Sequence, residues 1–308
     1  MISLLLALLL TQAPDGGQPQ TLPELRRLAK QLEPEVAAPW VKRWLANVNA
    51  LRPVAKAAWF CAKDKTVCAE KNPGDFLERV VDDEFAYARI TDPLGYARAF
   101  DVLAAAGFDP TGKKVLDFGY GNFGQLLMLS ALGVDVHGVE IDALLPLAAR
   151  GLDAGKGRLT LHHGFFARDP ALVKALGGGY ALWMSKNTLK RGYVHPAEPE
   201  GAKGKIDLGL EDAELLALIH RQLAPGGLFF IYNLAPTQAQ PYEPMADGRC
   251  PFTKQALQAA GFEVLAFDAD DSAKAKQMAR ALEWQTDWPD VDASLVATWT
   301  LARRPLKR

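Results

Sequence analysis

The sequence has almost no net charge: 35 basic side chains stand against 36 acidic ones over 308 residues. A chain so balanced projects no long-range field toward a polyanion, which argues against nucleic acid or an anionic membrane surface as a partner. It has no internal repeat and no extended low-complexity tract. Its apolar N-terminal run, Ile2 to Leu10, is much shorter than the roughly 20 residues needed to cross a bilayer, so stable membrane insertion is not expected. Metal-ligand clusters are also missing. His162 and His163 are adjacent, but neighbours on a strand point to opposite faces, and no cysteine or further histidine stands at ligand spacing. The sequence predicts no metal centre.

What remains is a chain rich enough in hydrophobic residues, 49%, to bury a large core. Its length suggests one main domain with an appendage. The run Ile2 to Leu10 meets Thr11-Gln12-Ala13, a small-x-small site, so residues 1–13 read as a secretory signal peptide that lacks the usual basic residue before its apolar stretch. A secreted or periplasmic location follows if that leader is cleaved, and a cytoplasmic one if it is not. Cys61 and Cys68 lie seven apart around a polar segment. On an unbroken helix they would be beyond bridging distance, so a disulfide between them requires a turn. Cys250 is expected to be free.

Leu22, Leu25, Leu28 and Leu32, then Val36, Trp40, Val41, Trp44 and Leu45, recur at helical spacing, with Pro34, Pro39 and Pro53 as breaks. A second helical pattern runs from Phe76 to Leu103, interrupted at Asp92-Pro93. Residues 20–100 therefore read as a helical N-terminal cap. From residue 101 onward, short apolar runs alternate with helical patterns, the signature of βα units around a parallel sheet. Expected strands are Lys114 to Asp117, Asp135 to Val139, Arg158 to Leu161, Tyr180 to Met184, Leu228 to Tyr232, Glu263 to Phe267 and Leu295 to Ala302. The fold class is α/β: a Rossmann-like, seven-stranded, mostly parallel sheet with helices on both faces. The long irregular stretch Lys190 to Leu208 has the length of an active-site lid.

The chemistry concentrates in Val115-Leu116-Asp117-Phe118-Gly119-Tyr120-Gly121-Asn122-Phe123-Gly124, a strand that passes through glycines into a helix. Glycine allows the backbone to approach a ligand closely, and the start of the helix offers unpaired N–H groups to an anion. The same spacing, with Glu140 about 20 residues on, satisfies a nicotinamide-dinucleotide fingerprint. Asp117 weighs against that reading, because a carboxylate there would repel pyrophosphate but pair with the cationic amino group of a methionine moiety.

The Leu-Asp-x-Gly-x-Gly-x-x-Gly run, followed by Val139-Glu140-Ile141-Asp142, resembles the glycine motif and acidic motif of class I methyltransferases. The resemblance extends over residues 101–308. It implies S-adenosyl-L-methionine as cofactor, with the methionine end at Asp117, Gly119, Tyr120 and Gly121 and the ribose hydroxyls on Glu140, beside Ile141. The acid that often follows the third strand in that family is replaced here by His163-Gly164-Phe165, which leaves adenine to backbone groups, His163 or stacking on Phe165. Ser185 and Asn187, with Lys186 between them, end the fourth strand near the methyl group; no Asn-Pro-Pro-Tyr signature of nucleic-acid amino methylation is present. Tyr87, Tyr96 and Arg98 precede the first strand, where the family often covers the cofactor.

The implied reaction is methyl transfer to an oxygen or nitrogen of a small-molecule acceptor. His195, Lys186 and Tyr193 are the candidate bases, and His195 is the one whose ordinary pKa lies near neutrality. Two other readings follow from the same residues: a catalytically degenerate exported domain that binds a nucleoside-like ligand or a partner, and a nicotinamide-dependent oxidoreductase. Nothing in the sequence sets an oligomeric state.

Overall fold

The computed structural model describes residues 21–88, 92–152, 155–191, 208–243, 246–286 and 288–306. The leader and most of the stretch Lys190 to Leu208, including Tyr193 and His195, lie outside them.

The leucine spacing near the N-terminus makes α1, Thr21–Leu32, which buries Leu22, Leu25, Leu28 and Leu32 along one stripe. Pro34 turns the chain, and Pro39 opens α2, Pro39–Ala46, which buries Trp40, Val41, Trp44 and Leu45. The region then departs from the all-helical expectation. β1, Ala57–Cys61, pairs antiparallel with β2, Cys68–Ala69, and with β3, Leu77–Val81, giving the order β2-β1-β3. The segment from Phe76 thus begins as a strand. Residues Val80 and Val81 favour extended backbone, and β1 supplies a partner that sequence spacing cannot reveal. Helix starts only at α3, Asp83–Tyr87, where the Asp82 carboxylate caps the Phe85 N–H. Cys61 and Cys68 face each other in the hairpin and form the disulfide, across the turn that their spacing requires. After α4, Ala97–Ala105, comes the main sheet.

Its strands are β4 (Lys114–Phe118), β5 (Asp135–Glu140), β6 (Arg158–His163), β7 (Tyr180–Lys186), β8 (Leu223–Pro236), β9 (Glu263–Asp270) and β10 (Leu295–Arg303). The order is β6-β5-β4-β7-β8-β10-β9, with β10 antiparallel to both neighbours and the other pairs parallel. Helices α5 (Gly124–Ser130), α6 (Leu144–Ala148), α7 (Pro170–Leu176), α8 (Asp212–Gln222), α9 (Lys254–Ala259), α10 (Ser272–Ala281) and α11 (Val291–Ser294) connect them. Every expected strand is present, and several run longer than their apolar runs because pairing extends the ladder into polar residues.

Alternation along the strands divides the core. Val115, Val136, Leu182, Met184, Phe230 and Tyr232 point to one face and pack with α1, α2, α4 and α10. Leu116, Phe118, Val139, Trp183, Phe229 and Ile231 point to the other and meet α7, α8 and α9. The N-terminal helices therefore share one core with the sheet. Trp44 Nε1 donates to the Gln125 carbonyl at 3.2 Å and Trp40 Nε1 to that of Phe108 at 2.9 Å. Arg98 is part of this scaffold: it pairs with Asp271 at 2.7 Å and Asp101 at 3.3 Å, while Asp101 accepts the N–H groups of Ala37 and Ala38.

Candidate functional site

Asp117 lies near the C-terminal end of β4, in the middle of the sheet, opposite Gly138 of β5 and Met184 of β7. It is completely buried, and neither carboxylate oxygen accepts a hydrogen bond. Tyr96 and Gln125 approach it. Gln125, however, spends its amide nitrogen on the carbonyls of Tyr120 and Asn122, at 2.9 and 2.8 Å, so that its unpartnered oxygen is one more acceptor beside an acceptor. Burial pushes the Asp117 carboxyl up to about 7.

The chain then turns sharply, with φ of +72° at Gly119 and +66° at Gly121. A side chain at Gly119 has no room, since an added Cβ would lie 2.7 Å from Thr188 Cβ; Thr188 Oγ1 donates to the Gly119 carbonyl at 3.0 Å. Tyr120 is buried over Gly138, where an added Cβ would come within 2.7 Å of its ring.

The N–H groups of this turn differ from expectation. That of Gly119 donates to Val139, that of Asn122 to Tyr120 and that of Phe123 to Ala86. Gly121 donates to Glu140 Oε2 at 3.2 Å, and Gly124 to the Asn122 side chain at 3.2 Å. The sequence suggests free donors for an anion, but Asn122 and Glu140 bring acceptors of their own to the turn.

Glu140 closes β5 next to the glycine turn, and its other carboxylate oxygen takes the Ile141 N–H at 2.8 Å. Gly164 donates to the Glu140 carbonyl at 3.0 Å, and Glu140 pairs in register with His163, so the ends of β5 and β6 bring Glu140, Ile141, His163, Gly164 and Phe165 together. His163 is exposed, and the Phe165 ring is half-buried with the Arg168 guanidinium over it at 5.5 Å. A glycine turn after the central strand, an acid after the next one and a sheet whose single reversed strand lies second from the edge now stand together.

The domain has the class I methyltransferase fold.

No protein-family model and no curated protein matches the sequence. Solved structures are similar to it. An S-adenosylmethionine-dependent methyltransferase from Mesorhizobium loti is 18% identical over 68% of this chain and 100% of that one, with a TM-score of 0.42. The phosphoethanolamine N-methyltransferase 2 of Haemonchus contortus is 14% identical over 82% of this chain and 69% of that one, with a TM-score of 0.44. The 4+2 cyclase SpnF is 17% identical over 92% and 96%, with a TM-score of 0.44. The chemistry has to be read from this chain's own side chains.

In this methyltransferase fold the fourth parallel strand in chain order, β7, ends beside the glycine turn. Two of its expected site residues have structural duties. Ser185 is buried and its hydroxyl takes the Leu189 N–H at 3.0 Å. Asn187, at φ +61°, takes the Leu234 N–H at 2.7 Å and donates its own N–H to the Asn233 side chain at 3.0 Å. Ser185 fastens the loop after β7 to that strand itself, and Asn187 fastens it to β8. Lys186 differs. It is 4% exposed, its Nζ stands 4.8 Å over the centre of the Tyr96 ring, and the carboxylates of Asp92 and Asp117 act on its charge. Burial lowers its ammonium to about 8, against the pull of those two carboxylates. Lys190, also buried and also lowered to about 8, gives its Nζ to the Leu234 carbonyl at 2.9 Å.

Sequence reasoning passed over Asp92, Thr188, Gln125 and Trp284. Asp92 caps the Leu94 N–H at 2.8 Å and accepts Trp284 Nε1 at 3.3 Å, across 192 residues. The Asp92-Pro93 break was the one local signal for it. Tyr87, by contrast, gives its hydroxyl to the Arg52 carbonyl and packs on Phe123, which makes it part of the scaffold.

Proposed function

We propose that the chain binds S-adenosylmethionine at the ends of β4 and β5 and transfers its methyl group to an oxygen or nitrogen of a small-molecule acceptor. The observation that carries this reading is Asp117: a carboxylate buried in mid-sheet beside a glycine turn, approached by the Tyr96 and Gln125 side chains but with neither oxygen in a well-formed hydrogen bond, which suits a cationic ligand group and is costly to keep otherwise. Glu140 would take the ribose hydroxyls while keeping its hold on the Gly121 and Ile141 N–H groups, and Phe165 would flank the adenine with His163 and Gly164. The bound cofactor supplies a methyl group already activated by its sulfonium.

The protein's remaining tasks are alignment, exclusion of water and removal of the acceptor's proton. Of the three candidate bases, Lys186 lies within the described residues. Its lowered pKa leaves a working fraction of neutral amine near pH 7, which suits a proton acceptor.

Isothermal titration of the protein with S-adenosylmethionine and S-adenosylhomocysteine, with NAD as control, tests the reading. Micromolar binding of the adenosyl ligands that is lost in Glu140→Ala supports it. Binding of NAD alone would favour the oxidoreductase. Absence of all binding in a folded protein would move the assignment to a degenerate domain. The last alternative draws on one specific observation, the Cys61–Cys68 disulfide, which suits an oxidising compartment outside the cytoplasm, where this cofactor is made.

A further inference from the structure

Asp117, the proposed partner of the cofactor's α-ammonium, has a cation beside it within the protein. Asp117 and Lys186 lie on the same face of adjacent strands, because Asp117 is in register with Met184 and Lys186 follows two residues later. The Lys186 ammonium lies over the Tyr96 ring, close enough to Gly95 that a Cβ added there would meet Nζ at 3.7 Å, with the Trp284 ring against the same point at 3.1 Å. Two carboxylates, one aromatic face and a tryptophan edge form a cage for one positive charge. A methionine ammonium arriving at Asp117 would put a second cation into it.

We propose that Lys186 is a built-in competitor for Asp117, a specificity-determining residue whose ammonium must give way before a ligand with an α-amino group can settle. This inference rests on the adenosyl site proposed above. A like charge forced within a few ångströms in a buried setting is strongly unfavourable, so either the lysine side chain withdraws toward Asp92 or it loses its proton. In both cases the cost falls only on ligands that bring their own ammonium. 5′-Methylthioadenosine has the same nucleoside and thioether as S-adenosylhomocysteine but no amino-acid tail, so it escapes that cost.

The test titrates both ligands into the native protein, Lys186→Met and Lys186→Gln at pH 7, where the Lys186 amine is mostly protonated. Lys186→Met should tighten S-adenosylhomocysteine by about tenfold and move 5′-methylthioadenosine by less than twofold, with Lys186→Gln giving the same pattern should the methionine variant fold poorly. The gain should vanish when Asp117→Asn is added. If 5′-methylthioadenosine binds all variants while the affinity for S-adenosylhomocysteine is unchanged or falls on losing Lys186, the competition is refuted and the adenosyl site stands. If neither ligand binds any folded variant, the site itself is refuted, and the competition with it.

Discussion

Arg79 of the small antiparallel sheet grips both carboxylate oxygens of Asp142, each at 2.8 Å, two residues after Glu140. The pair is mostly shielded, with side-chain exposures of 17% and 5%. A second strap lies alongside, since the Ala143 N–H donates to the Lys65 carbonyl in the disulfide hairpin. The N-terminal sheet thus clamps the loop that carries the proposed ribose acid. Arg79→Met should cost about 3 kcal/mol in urea unfolding, since it removes the cation that compensates the buried Asp142 carboxylate. Arg79→Met with Asp142→Leu should recover part of that. If the single variant unfolds at the native midpoint, the clamp contributes nothing.

Gly119→Ala introduces two faults, a left-handed φ and a collision with Thr188. A loss of about 3 kcal/mol is expected from strain and overpacking together. Adding Thr188→Gly should restore the overpacking share and leave the backbone share, which thermal melts of the single and double variants would separate.

The Cys61–Cys68 bridge closes a short hairpin. Chain-entropy reasoning gives such a loop about 2.5 kcal/mol, so replacing both cysteines by alanine should lower unfolding stability by that order. Cys250 is buried and its thiol is pushed up to about 12, chiefly by burial, so iodoacetamide should label it only in denaturant. Rapid labelling of the native protein would contradict its burial.

His137 stacks on His162 of the next strand, with Nδ1 and Nε2 3.3 Å apart, so the two nitrogens share one proton. Burial, with help from Lys114, depresses His137 to about 4. Above pH 6.5 the imidazole is neutral in both the folded and the unfolded chain and costs nothing. As pH falls from 6.5 toward 4 the unfolded chain takes up the proton first, so stability declines through that window and levels off below it. At pH 5 the loss from this residue should approach about 2 kcal/mol, by 1.36 kcal/mol per unit. Urea midpoints for the native protein and His137→Gln at pH 7.5 and 5 would show it as a slope that the variant lacks.

The sheet was legible in the sequence because its signals are local. Apolar runs such as Val115-Leu116 and Leu228-Phe229-Phe230 announce strands by themselves, and Gly119 and Gly121 mark the turn that both of their φ values require. Asp117 and Glu140 were readable from their offsets to those glycines. The small sheet was not, because Phe76, Val80 and Tyr87 fit a helical period about as well, and what decides for strand is pairing with residues about 20 positions earlier. The surroundings of Lys186 were hidden for the same reason: Asp92, Tyr96 and Trp284 converge on it from separate segments, and Thr188 reaches Gly119 across 69 residues. Ser185 and Asn187 carry polar groups at the right strand end, and only the hydrogen bonds show those groups already committed to the loop.

The reversed strand β10 has a consequence for assembly of the sheet. It is the last strand in the chain, yet it lies between β8 and β9 and is the sheet neighbour of both. A chain that lacks residues 295–303 leaves β9 with no partner in the sheet and β8 with one open edge. Pairing on the two sides of β10 is therefore one event, because the edge strand β9 has no other neighbour in the sheet.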